Sequence, residues 1–267
     1  MPSNTQTSHS DESKLETKRL TAPEIFEAAT ENARSELHRS WRSLAFSGVA
    51  GGITLGLTGI GVASIRALLG EGGWQGLISY LIYPVGFIAV IIGRSQLFTE
   101  NTLYPVVLVL DERKHILDTL RLWAVVFVSN IVGAFLFALL AIRSEALRPE
   151  ISRALVELGQ TMAPGSFGHL FWSGVVGGWI IALVAWMVTA SHWTIGQVAM
   201  IWLLTFILGV GHFAHCVVSS CEILAAVMAH AVSPGAYFHW LLAATLGNIV
   251  GGVGIVSMLN YGQVRQE

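Results

Sequence analysis

The stretches GRSQLFTENTLYP (93–105) and GVGHFAHCVVSS (209–220) decide how this chain is read. Each sits inside an apolar segment, 74–112 and 195–231, that is too long for one straight span. A helix crosses a bilayer in roughly 20 residues. Each stretch also places glycine and polar residues in the middle of its segment. We read both segments as broken helices, two halves joined by non-helical backbone. Such backbone survives at membrane depth only where protein or a water-lined cavity satisfies its N–H and C=O groups. A pair of breaks therefore marks a transport path.

Four more apolar segments flank these two, at 43–66, 120–142, 167–190 and 236–258, giving six spans. Composition agrees: 53% of the 267 residues are apolar and 12% charged, about half the ~25% charge of a soluble domain. No Asp, Glu, Lys or Arg occurs from Leu158 to Cys221 or from Ile223 to Val264. A net charge of −2 with three lysines excludes a nucleic-acid binder. Two cysteines exclude a disulfide framework. The expected fold class is thus an all-α membrane protein, with both termini cytoplasmic from the distribution of basic residues. Residues 1–20 read as a disordered tail without the apolar run of a leader, and 259–267 as a C-terminal tail. Residues 21–42 hold an amphipathic helix, with Thr21 as its cap and Pro23 in its first turn. We expect this helix on the membrane surface or on a neighbouring subunit.

The channel region, 43–258, repeats itself. SGVAGG (47–52) returns as SGVVGG (173–178), and SNIVGA (129–134) as GNIVGG (247–252). The second pair is offset by 118 residues, which also sets Gly93 against Gly211 and Leu97 against His215. The halves, about 43–142 and 167–258, each hold three spans, so the second must insert upside down, as in transporters with inverted repeats. The small residues permit close helix approach.

His215, in the second break, is the residue most suited to chemistry. A neutral imidazole donates one hydrogen bond and accepts another, and its protonated form carries charge, which suits exchange with a weak acid. Thr99 offers a hydroxyl in the first break. Arg94 is the one basic residue at membrane depth, with Glu100 and Glu222 as candidate partners. A metal site at His212, His215 and Cys216 lacks a fourth ligand and normal spacing. No cofactor motif is present.

GRSQLFTENTLY resembles the omega-loop motif of the formate/nitrite transporter family, and GHFAHCVVSS its fifth-span motif. SGVVGGWIIALVAWM is similar to the family's fourth-span signature. The resemblance covers residues ~25–258. It implies an aquaporin-like protomer in a homo-pentamer of the bacterial inner membrane, conducting small monovalent anions such as formate, nitrite and hydrosulfide. It makes His215 the central pore histidine and places Leu97, Phe98 and Thr99 in the omega loop, with Ile181 opposite. Phe87 and Leu208 become the apolar constriction beyond the histidine. This chain departs from the family at Gln96, where an acid is usual, at Ala214, where a glutamate is usual, and at Gly178 and Ser219, where asparagines are usual. A lysine expected near Met162 is absent. A channel for a small neutral solute is the alternative that this absence favours. An enzyme using His215 and Cys216 is a third reading, with no activating partner or cofactor motif behind it.

Overall fold

The computed structural model describes residues 19–265; the expected tail at 1–18 lies outside them. Helices α1 (Ala22–Leu37), α2 (Trp41–Leu69), α3 (Gly73–Tyr80) and α4 (Val85–Ile92) lead to the first break. Then follow α5 (Tyr104–Glu112), α6 (Ile116–Arg143), α7 (Pro149–Met162), α8 (Phe167–Thr189) and α9 (Thr194–Val210). The second break precedes α10 (Val218–Met228), α11 (Pro234–Ile249) and, after a π-helical stretch at Val250–Ser257, α12 (Met258–Arg265). Five helical stretches among the described residues are long and apolar enough to cross a membrane: 41–69, 73–92, 116–143, 167–189 and 234–265. The shorter apolar helices α9 and α10 flank the second break.

Two helix pairs carry the scaffold: α2 packs along α6, and α8 along α11. The repeated small-residue motifs set both crossings. A Cβ on Gly52 would stand 2.2 Å from the Asn130 carbonyl oxygen, and one on Gly178 would stand 2.1 Å from the Asn248 carbonyl oxygen. Backbone meets backbone there, which only glycine allows. Gly178, where the family usually has asparagine, is thus a contact point in this chain.

Three elements add to the sequence expectation. Helix α1 has the expected cap, with the Glu24 N–H on Thr21 Oγ1 and Glu24 Oε2 accepting from the Thr21 N–H. It packs on its own chain, burying Ile25, Phe26, Ala29, Ala33 and Leu37 against α5, α8, α12 and α6. Helix α7 occupies the stretch between the spans at 120–142 and 167–190, to which the sequence reading assigned no element. Pro149 at its start, Glu150 in its first turn and the spacing Ile151, Leu155, Leu158 signal it. The segment after 258 is helical to Arg265, held by Tyr261 against Phe26 and by Arg265 on Asp111.

Docking of α1 contains a pH-sensitive contact. Arg34 Nε and Nη2 donate to Glu112 Oε1 at 3.1 and 2.7 Å, and His115 Nε2 lies 3.2 Å from Glu112 Oε2. The Arg34 guanidinium first, and His115 second, hold the Glu112 carboxyl below its ordinary 4.5. With the folded-state value depressed, the contact stabilises the docked helix above pH 4.5. That contribution is lost as pH falls through the lower folded value. Amide protection across 22–37, measured against the intrinsic exchange rate at each pH, is therefore expected to fall on acidification, and Glu112→Gln to flatten that response. Equal acid responses in the two proteins would contradict it.

Candidate functional site

Both breaks open in the same way. Helix α4 ends at Gly93, and Arg94 adopts a left-handed conformation, φ +57°. The Ser95 N–H then bonds the Val90 carbonyl (3.0 Å) and the Arg94 N–H that of Ile91 (3.2 Å). Helix α9 ends at Gly211, and His212 takes φ +51°. The Phe213 N–H bonds the Leu208 carbonyl (3.1 Å) and the His212 N–H that of Gly209 (3.0 Å). This is the Schellman arrangement, built twice at an offset of 118 residues. A side chain in the left-handed region costs about 1–2 kcal/mol, so the surroundings must enforce it.

Two asparagines do so. Asn130 Nδ2 donates to the carbonyls of Gly48 (2.8 Å) and Gln96 (2.9 Å), and its Oδ1 accepts from the Phe98 N–H (2.8 Å). Asn248 Nδ2 donates to the carbonyls of Gly174 (2.7 Å) and Ala214 (2.9 Å), and its Oδ1 accepts from the Cys216 N–H (2.8 Å). Ser47 Oγ accepts from the Gln96 N–H (3.0 Å), and Ser173 Oγ from the Ala214 N–H (2.9 Å). Each side chain replaces partners that a continuous helix would have supplied. Sequence reading placed these asparagines in packing motifs and missed their role as clamps. Their recurrence at the offset of the breaks was the available signal.

The clamps bring Thr99 and His215 together. Thr99 Oγ1 lies 2.7 Å from His215 Nε2, and the Val218 N–H donates to His215 Nδ1 at 3.1 Å. Because Nδ1 accepts, the neutral ring carries its hydrogen on Nε2 and donates it to Thr99. The Thr99 hydroxyl hydrogen is then left to point elsewhere. Both residues are wholly buried. Phe87 meets the imidazole edge-on, with ring centroids 5.3 Å apart. Leu97, Ile181 and Leu208 are buried in the same apolar core. Phe98 turns to α6, its ring edge-on to Phe127 (5.0 Å) and Trp123 (5.8 Å).

Two cavities with no lining residue in common lie beside the breaks. The first, about 70 Å³, is lined by Glu36, Arg94, Gln96, Leu97 and Glu100 among others. The second, about 10 Å³, is lined by Tyr80, Leu158, Met162, Leu208, His212 and Glu222 among others. Arg94 thus shares a cavity with Glu100 and is parted from Glu222. Among the described residues Arg94 has no carboxylate within 4.0 Å. Gln96 shows why an amide suits its position: Nε2 donates to Glu36 Oε2 (2.7 Å), and Oε1 accepts from Asn101 Nδ2 (2.8 Å). A carboxylate at 96 would face the Glu36 carboxylate. Met162 stands where a lysine was expected, and the cation bonded to this cavity's lining is Arg66, whose Nη2 donates to Tyr80 (2.8 Å).

The sequence model described as "Formate/nitrite transporter" matches residues 23–262. The chain belongs to the formate/nitrite transporter family. It is 30% identical over 256 residues to the inner membrane protein YfdC of Escherichia coli (strain K12), covering 91% of this chain and 79% of that protein. A solved structure described as an FNT family ion channel superposes with a TM-score of 0.81 at 20% identity, covering 90% of this chain and 98% of the other. One described as a pentameric formate channel with formate bound gives 0.72 at 18% identity, with 85% and 98% covered. The fold is that of the family, and the chain is a multi-pass membrane protein.

Proposed function

We propose that this protein passes a small monovalent anion of the formate or nitrite class, or its weak acid, through a pore within each protomer. The observation that carries the reading is the buried Thr99–His215 pair, one partner from each break, with one cavity lined by Leu97 and a separate one lined by Leu208. Leu97 and Ile181 bound the pair toward the first cavity, and Phe87 and Leu208 toward the second. These apolar walls strip water from the solute, which makes a bare charge costly there. His215 and Thr99 supply the polar stop: His215 holds the hydroxyl oxygen, and the free hydroxyl hydrogen is offered to the solute. Both ring nitrogens are thereby engaged, so His215 acts as a positioning group for Thr99 and less as the proton source that its sequence position suggested.

In this reading the protomer has six spans in two inverted three-helix repeats. The twofold occurrence of the asparagine clamps at one offset supports it. The protomers form a homo-pentamer in the inner membrane with cytoplasmic termini. Support comes from the likeness to a formate channel described as pentameric, from the name of the Escherichia coli relative and from the basic residues of the N-terminal segment. The protein acts as a transporter and not as an enzyme.

The test is uptake of formate, nitrite, hydrosulfide and glycerol by proteoliposomes holding the full chain. Formate or nitrite should enter well above protein-free vesicles, and glycerol should not. His215→Ala should cut anion uptake on the order of 10²-fold, the scale of one lost preorganised donor. His215→Asn, which keeps an N–H donor, should retain part of it. The intact complex in mild detergent should have five times the 28.8 kDa chain mass. Glycerol uptake without anion uptake would establish the neutral-solute alternative.

A further inference from the structure

The second cavity holds a carboxyl that neither the clamps nor the Thr99–His215 pair employs. Glu222, on α10, is 4% exposed and lines this cavity beside Leu208. No hydrogen bond, and no ion pair within 4.0 Å, joins its side chain to another described residue. A buried carboxyl that braces the fold is normally paired. This one is free to act on whatever enters.

Its neighbours come from every packed element. Helix α2 brings Arg66, whose charge reaches Glu222. Helix α3 and the turn after it bring Tyr80 and Tyr83, and the second break brings His212. Helix α7 contributes Leu158, Thr161 and Met162, none of which titrates. Cys221 precedes Glu222 on α10 itself. Arg143 of α6 is bonded to the Met228 carbonyl, and Tyr237 of α11 to Ser220. The Arg66 side chain is 10% exposed and bonded to Glu71 at 2.9 Å, and its buried Nε has no partner. Tyr80 accepts from Arg66, and its hydroxyl oxygen lies 3.3 Å from each ring nitrogen of His212. His212 is exposed at the mouth. His212, Tyr80, Glu222 and Leu208 thus line one cavity, His212 as its exposed member and Leu208 as a fully buried one.

Past Leu208 the wall is apolar, and the ring nitrogens of His215 are both engaged. A solute that crosses as a neutral acid must gain its proton before that point. We propose that Glu222 is the proton-exchange group of the second cavity, giving its proton to the anion before the anion passes Leu208. This rests on the anion reading above. The Glu222 O–H bond breaks, an O–H bond forms on formate, and formic acid moves inward. The carboxylate regains a proton from bulk water through the mouth at His212. Arg66 offsets the single negative charge, which is on the anion before the transfer and on Glu222 after it. Each anion thus carries one proton with it, and the same steps run backward on exit.

The experiment follows formate uptake and interior pH together in proteoliposomes of the full chain, at acidic and neutral outside pH. The wild type should acidify the interior in step with uptake. In Glu222→Gln, uptake from acidic solution should fall on the order of 10²-fold, the low end of what a positioned acid contributes, and the residue of uptake should not acidify the interior. Glu222→Asp should transport with proton coupling but need a lower outside pH, since aspartate is the stronger acid. Wild-type rate and coupling in Glu222→Gln would overturn the proposal and leave the pore reading intact. If Glu222→Gln fails to assemble, Glu222→Asp decides: an unshifted pH profile overturns the proposal. If the wild type moves no formate, the pore reading falls and this proposal falls with it.

Discussion

Asn248→Ala is expected to unfold the second break and with it the oligomer. The substitution leaves the Cys216 N–H and the carbonyls of Gly174 and Ala214 without the partner that now binds all three. Asn248 is fully buried, so water does not replace it. Each buried group left unpaired costs about 1–3 kcal/mol, and three together approach the whole stability of an ordinary domain. The variant should lose its monodisperse oligomer peak or melt about 10 °C or more below wild type. Asn248→Asp sharpens the test. It keeps an acceptor for the Cys216 N–H but turns a second acceptor on two carbonyls, so it should fare no better than alanine. A normally assembled alanine variant would mean that the break is held by something other than this side chain.

Thr99→Val is expected to leave assembly nearly intact and to remove most transport. Valine has the branched shape of threonine, so no cavity opens at position 99. The loss is one hydroxyl, which orphans the His215 Nε2–H at a cost of about 1–3 kcal/mol and withdraws the donor offered to the solute. Removal of one preorganised donor in a dry site costs on the order of 10²-fold in rate. Formate uptake should fall by that factor while its dependence on outside pH keeps its form, because the exchanging carboxyl is untouched. Thr99→Ser, which restores the hydroxyl, should recover most of the rate. Full uptake by the valine variant would remove Thr99 from the pore.

The breaks were legible because over-length is a one-dimensional property. Segments 74–112 and 195–231 exceed a bilayer, and the residues that fail as helix announce where. The offset of 118 residues was legible for the same reason. The partners of each polar group were not. Asn130 meets the Gln96 carbonyl and Asn248 that of Ala214, pairings that need the crossing geometry of α2 with α6 and of α8 with α11. Charge alone suggested Arg94 with Glu222, yet the residues line different cavities. Helix α7 was missed because its spacing competes with flanking loop signals, and with it the wall of the second cavity at Leu158 and Met162.

The clamps are duplicated, but the pair they hold is not. At the offset that matches Asn130 to Asn248, Leu97 corresponds to His215 and Thr99 to Val217. The first half therefore supplies a hydroxyl and no imidazole, and the second an imidazole and no hydroxyl. Two copies of either half, joined head to tail, would keep both clamps and lose the Thr99–His215 bond. If the halves descend from one duplicated ancestor, their divergence at these two positions is division of labour. Neither half can then drift back toward the other without giving up the centre, so selection holds the two as one inseparable unit.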